Sequence, residues 1–412
     1  MNALRSRRQR ERAPQRAHRA QEKHQPWLRP RLLGLLLALC GLLSACGLTS
    51  GSGGQIAQGK TTPTTSHSSA TVYVSSDSIY ALRASDGVLR WRAVAGDCGG
   101  STIVASGVLY TTAVGAVCAL NTQDGSLRWR VTLNGAVHSS LVLADDLLFY
   151  VGNPAQDRPT TGWIGAVRAR DGQAVWRYMV GLVAEAEPVV AEGVVYIGTA
   201  AGVLYALRAS DGHLLWSVAT LNHRAIRASV AVADDVVYSD AENGSLSALR
   251  ASDGHLLWRV NGVSGMPVVA DGVVYLSGPL TALRASDGAI LWRAVQLQTV
   301  TGLTVTDGVL YLGTAAIEAP DGTATGGYVY ALNLHDGTVL WRAQGEAPDP
   351  PPTFGTPLMA DGLVYVGSIT TAFPTAPPIG AVYALDARDG TLRWKYRLLA
   401  GVAAPRSLTV VP

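Results

Sequence analysis

Tyr80-Ala81-Leu82-Arg83-Ala84-Ser85-Asp86-Gly87-Val88-Leu89-Arg90-Trp91 decides the architecture, because the same pattern recurs seven more times along the chain. A run of small and apolar residues leads into Asp-Gly, and a tryptophan follows five positions after the Asp. The other copies end on Trp129, Trp176, Trp216, Trp258, Trp292, Trp341 and Trp394. Their mean spacing is about 43 residues, and a period in that range marks an array whose units bury apolar surface only against their neighbours.

Within one unit, Pro267-Val268-Val269-Ala270 precedes Asp271-Gly272 and a second apolar run, Val273-Val274-Tyr275-Leu276. Thr281-Ala282-Leu283-Arg284 follows, then Asp287-Gly288 and Ile290-Leu291-Trp292-Arg293. Four short alternating segments separated by turn residues predict a four-stranded antiparallel meander, strands A to D. Repeated eight times, this is the pattern of an all-β, eight-bladed β-propeller. The first unit starts at a B-type segment, Thr71-Val72-Tyr73-Val74, and the last is followed by an orphan A-type segment, Ser407-Leu408-Thr409-Val410-Val411. Pairing the two closes the ring and removes its exposed edges.

Three regions follow, at 1–45, 46–70 and 71–412. Hydrophobic residues make up 48% of the chain and charged ones only 15%, enough apolar material for a large packed body. The formal charge of +3 is misleading, since ten Lys/Arg stand against Glu11 and Glu22 in residues 1–31. The remainder is acidic, which argues against nucleic acid as a partner. After that cationic stretch comes Leu32 to Leu43, an apolar run too short to span a bilayer, and then Ser44-Ala45-Cys46. Residues 1–45 read as a signal peptide, and residues 47–70, rich in Gly, Ser and Thr, as a flexible tether.

Cys98 and Cys118 are the two cysteines within the repeats. In an oxidising compartment they can pair, and the alternative is two buried thiols. His213, His255 and His335 flank Asp-Gly turns, where histidine is ordinarily solvated, and His67 falls in the tether. His138, His223, Glu185 and Glu187 share D-to-A connections, the one grouping from which metal ligation is conceivable. No metal and no cofactor is expected. Catalytic signatures such as His-Glu-x-x-His, Gly-x-Ser-x-Gly and Cys-x-x-Cys are absent from the sequence.

Every insertion falls in a B-C or D-A connection: Gly152 to Trp163, Thr314 to Tyr328, Ala343 to Gly355 and Gly367 to Gly380. In a propeller these connections share one face, which is therefore the candidate interaction surface. Trp163, Phe354 and Phe373, with prolines around them, are its expected exposed apolar contacts. His223, Arg224 and Arg227 add a basic spot suited to an acidic group on a partner. The alternative role of these loops is to cover the ring.

Ala384-Leu385-Asp386-Ala387-Arg388-Asp389-Gly390-Thr391-Leu392-Arg393-Trp394 resembles the tryptophan-docking motif of pyrroloquinoline-quinone-type propeller repeats, and the resemblance extends over residues 71–411. It implies that the eight tryptophans brace the seams between blades. The chain departs from the family pattern in two ways. The family's Thr is Asp in all eight units, and its Asp survives only as Asp386. Arg83, Arg168, Arg208, Arg250 and Arg284, or Asn121 and Asn333, take its place elsewhere. The vicinal cysteines and calcium-binding residues of the family's dehydrogenases are not found, so the resemblance implies fold and not their activity.

Leu43-Ser44-Ala45-Cys46 resembles the lipobox of bacterial lipoproteins, with Cys46 as the lipidated residue; an ordinary signal peptide or an uncleaved anchor is the alternative. With tether and repeat type, it is similar to the propeller lipoproteins of outer-membrane β-barrel assembly machineries. The sequence thus points to a non-enzymatic, lipid-anchored, extracytoplasmic binding or scaffold protein with a monomeric body and a protein or envelope-polymer partner. A pyrroloquinoline-quinone-dependent oxidoreductase and the sensor module of a signalling system are the other readings.

Overall fold

The eight Asp-Gly-tryptophan units fold into eight antiparallel sheets, each ordered A-B-C-D. The computed structural model describes residues 70–411, with breaks at 95–97, 134, 138–140, 155–160, 182–186, 228–229, 243, 295–296, 298, 319–323, 346–351, 371–378, 399–404 and 406. A strands of neighbouring blades lie against one another, so they form the inner ring and the D strands the outer rim. Blade 1 is completed by the C-terminal strand Ser407–Val411, antiparallel to Thr71–Ser75 with Thr71 opposite Val411. The ring is therefore closed by hydrogen bonds between the two ends of the propeller. Side chains also tie the closing strand to the inner strand of blade 2: Thr409 Oγ1 donates to the Thr102 carbonyl at 2.9 Å, and Ser407 Oγ accepts the Thr102 N–H at 3.2 Å.

Two kinds of turn make this repeat possible. A-B hairpins use two-residue turns with both positions at positive φ, as in Asp145-Asp146 (46° and 61°), Asp234-Asp235 (49° and 61°) and Asp271-Gly272 (49° and 72°). Such primed turns match the twist of the strands they join, and Asp or Gly tolerates the left-handed region. At every C-D corner the Asp Oδ1 accepts the backbone N–H two residues on, from Asp86 and Val88 at 3.1 Å to Asp389 and Thr391 at 3.0 Å. The carboxylate thus closes the turn as a side-chain mimic of backbone.

The Arg at the family's Asp position grips the same carboxylate. Arg83–Asp86, Arg168–Asp171, Arg208–Asp211, Arg250–Asp253 and Arg284–Asp287 are ion paired at 2.8–3.2 Å. These pairs are solvent-exposed and contribute little stability. Blade 8 keeps the family's Asp, and there Arg388 and Arg393 both bond Asp386, holding its carboxyl well below the usual range.

What holds the ring is the seam. Each tryptophan lands on the C-D glycine of the next blade: a Cβ on Gly288 would lie 2.7 Å from Trp258 Cε3, and one on Gly87 would lie 2.6 Å from Trp394 Cε3. The glycine is required twice over, by its φ of 72–74° at these two turns and by the indole packed on it. The indole N–H of Trp258 donates to the Ala285 carbonyl at 3.0 Å, and that of Trp394 to Ala84 at 2.8 Å. An aromatic residue on strand B packs against every one of the eight indoles at 5.9–6.1 Å, from Tyr73 on Trp91 to Tyr365 on Trp394. Opposite each Trp on strand C is an Ala, beside a β-bulge that turns the indole toward the neighbour, as at Ala282 and Trp292. Burying a ring of about 200 Å² is worth on the order of 5 kcal/mol as an upper bound. The seams outweigh the surface ion pairs.

Among the described residues the one helical element is a 3-10 turn, Leu221–His223, and no helix is long and apolar enough to cross a membrane.

Candidate functional site: the loop face

Opposite the Asp-Gly corners, the B-C and D-A connections build an irregular face. Blade 3 raises its strands B (Leu147–Asn153) and C (Thr161–Arg168), and a short strand Ala136–Val137 pairs beside them. Blade 8 does the same with Leu363–Thr370 and Ile379–Asp386, flanked by Thr353–Phe354. In blade 7 the insertion forms a small two-stranded ribbon, Ile317–Glu318 with Ala324–Thr325.

Two expected contact residues are not on this surface. Trp163 is 2% exposed and Phe354 is 1% exposed. The reading of insertion as exposure fails because both lie on strands that lengthen the blade and turn inward. Trp163 is covered by Arg177, whose guanidinium carbon lies 3.6 Å from the ring centroid, and fits against Gly135, where a Cβ would approach its Cη2 to 2.3 Å. Phe354 meets Tyr383 edge-on at 5.3 Å. Phe373, His138 and Glu185 lie outside the described residues.

The basic spot is present but mixed in charge. His223 sits at φ 52° at the end of the 3-10 turn, and His223, Arg224 and Arg227 are all exposed. Arg227 pairs with Glu242 from the B-C turn of blade 5, whose N–H bonds the Ala225 carbonyl at 3.0 Å. Nearby on strand B, Asp240 accepts the Gly265 N–H at 3.2 Å, while its buried Oδ1 finds no hydrogen-bond partner among the described residues. Burial pushes its carboxyl up to about 6.

A cavity of about 420 Å³ opens among the starts of the inner strands. Ser101, Glu187, Thr301, Thr353, Thr356 and Ser368 supply polar groups, and Leu358, Ile369, Pro405 and Leu408 an apolar wall. Of the four residues from which metal ligation was conceivable, Glu187 lines this cavity and His223 lies on the D-A connection between blades 4 and 5. Among the described residues no three His, Cys, Asp or Glu side chains converge.

Cys98 and Cys118 are joined in a disulfide within blade 2, with Cα atoms 6.3 Å apart and both side chains buried. Sequence reasoning missed the aromatic partner of each docking tryptophan. Its signal was available as a Tyr or Phe at a fixed place on every B strand, but alternation alone cannot tell a seam residue from an ordinary core residue.

The family model described as "Outer membrane protein assembly factor BamB" matches residues 75–158, 160–269 and 260–407, nearly the whole ring. The chain belongs to this family. A curated relative of the same name from Yersinia pestis is 45% identical over 53 residues, which is 13% of this chain and 14% of that protein. Among solved structures, BamB from Moraxella catarrhalis aligns with a TM-score of 0.56 at 19% identity, covering 78% of this chain and 89% of that one. A computationally designed protein, Ika8, aligns with a TM-score of 0.57 at 16% identity, covering 72% and 86%. At such identities the structural likeness shows the fold.

Proposed function

We propose that this chain is a non-enzymatic, lipid-anchored scaffold of the cell envelope, which binds a protein or envelope polymer through its loop face. The observation that carries the reading is membership, over nearly the whole ring, in a family described by outer-membrane protein assembly. The Yersinia pestis relative carries that description, and in this chain it implies partners among the proteins that insert or fold β-barrels. The Cys98–Cys118 bridge supports a body outside the cytoplasm, because structural disulfides persist in oxidising compartments. Cys46 is the proposed lipidation site, with residues 47–70 spanning from membrane to ring, and the body is proposed to be monomeric.

The loop face supports binding better than chemistry. Its irregular raised edges at blades 3, 7 and 8 give shape, and the exposed Arg224 gives charge. The vicinal cysteines of quinone dehydrogenases are absent from the sequence, and the two cysteines of the ring are tied to each other.

Crosslinking in intact cells followed by mass spectrometry tests this. Recovery of one envelope partner, reduced severalfold by Arg224→Glu, is expected, whereas no reproducible partner would sink the scaffold reading. Incubating the purified chain with pyrroloquinoline quinone and calcium should leave no bound chromophore and no dye reduction. A bound chromophore with turnover would replace this reading by an oxidoreductase.

A further inference from the structure

Every seam carries the docking Trp, but the residue two positions beyond it differs: Tyr in blades 3 and 8, Val in blades 2, 4 and 5, and Ala in blades 1, 6 and 7. Two residues past the docking Trp, strand D carries Tyr178 in blade 3 and Tyr396 in blade 8. Each ring stands against a tyrosine on strand C of the next blade: Tyr178 against Tyr205 at 6.3 Å, and Tyr396 against Tyr80 at 6.2 Å, both with planes inclined at 60°. The seam between blades 7 and 8 has the same strand-C tyrosine, Tyr383, immediately before the Ala that faces the next Trp. Its strand D, however, carries Ala343 where blades 3 and 8 carry tyrosine, and Gly345 two positions on. A cavity of about 310 Å³ remains there, lined by Val329, Ala343, Gly345, Tyr383, Leu385 and Leu392.

Among the described residues, Pro352 and Phe354 lie beside Gly345 at the rim of this space. Phe354 reaches Tyr383 edge-on and leaves the cavity open, forming one of its walls. At the adjoining seam between blades 6 and 7 the equivalent pair is Ala294 and Tyr330. There Tyr328 packs on Tyr330 at 5.7 Å, and Leu297 joins the same apolar cluster. The gap between blades 7 and 8 thus has the dimensions of a side chain that the repeat itself places elsewhere, and its volume suits a small planar group.

We propose that this seam is an anchor pocket for an aromatic side chain, Tyr, Phe or Trp, carried by an extended segment of a partner protein. The chain's own tyrosines at seams 3/4 and 8/1 show the ring geometry that the site accepts. Strand D of blade 7, Val339–Gln344, is the outer edge of its sheet, so its main chain is open to strand addition beside the pocket. A rigid ring buried in a preformed apolar slot is the usual form of an interface hot spot. This inference rests on the protein-binding reading above.

Titration of the purified full chain, labelled at its Val and Leu methyls, with N-acetyl-tyrosinamide tests the pocket by NMR. Shifts centred on Val329, Leu385 and Leu392 are expected, with a Kd on the order of a millimolar for a single side chain. N-acetyl-leucinamide should bind at least tenfold more weakly. Ala343→Tyr should abolish the shifts while thermal unfolding stays at or above wild type, and Ala343→Leu should weaken them severalfold if the tyrosine variant fails to fold. No shift at these methyls, or equal shifts with the leucine amide, overturns the pocket. In cells, loss of the crosslinked partner in Ala343→Tyr supports the proposal, and retention overturns it while the scaffold reading stands. Binding of the amide with no protein partner recovered from wild type overturns both.

Discussion

On the face that carries the Asp-Gly corners, all eight C-D turns share one hydrogen bond and one stacked indole. On the opposite face the connections differ from blade to blade, with extra strands at blades 3 and 8, a ribbon at blade 7 and a 3-10 turn before blade 5. Uniform geometry on one side marks the positions that close the ring. Divergence on the other marks positions released from that duty, where sequence can be spent on recognition.

That contrast can be broken at the regular features first. Removing Ser407–Pro412 takes the inner strand from blade 1, and the truncated chain should lose cooperative unfolding and be degraded by protease, as followed by circular dichroism and limited proteolysis. Next in size is a single seam: Trp258→Ala should cost about 3–5 kcal/mol in denaturant unfolding. Gly288→Val should destabilise through the same contact, by clash and by positive φ. Reducing the Cys98–Cys118 bridge, which spans 20 residues, should lower stability by about 3 kcal/mol, read from unfolding with and without reductant.

The smallest effect separates the loop face from the ring. Asp240 has its folded carboxyl raised from 3.8 to about 6, so between those values the native state binds the proton better than the unfolded chain does. Its contribution is therefore most favourable below pH 4 and declines as pH rises through 6. Asp240→Asn should raise stability at pH 7 by about 1 kcal/mol, discounted for partial exposure, and flatten the slope between pH 4 and 6. A variant that loses stability at pH 7 instead would assign Asp240 a structural partner.

Much of the fold could be read from residues alone, because period, turn chemistry and docking tryptophan are all local signals. Trp91 announces a seam by standing five residues after Asp86, and Ser407–Val411 announces closure by alternation without a following partner. Trp163 and Phe354 could not be read this way. Insertion length reports extra chain, but whether a ring points outward depends on the partner across the sheet, Arg177 in one case and Tyr383 in the other. The seam at blades 7 and 8 was hidden for a related reason. Ala343 and Gly345 are unremarkable small residues in sequence, and they become a pocket only when superposed on Tyr178 and Tyr396 of other blades.

The joint between Thr71–Ser75 and Ser407–Val411 sets the order in which this ring can close. Seven sectors can assemble as they emerge, but blade 1 waits for Ser407–Val411, so the ring stays an open crescent until that strand is made. Shape-dependent recognition across its whole circumference is consequently unavailable before then, and only the closed ring can engage a partner that reads the complete circle.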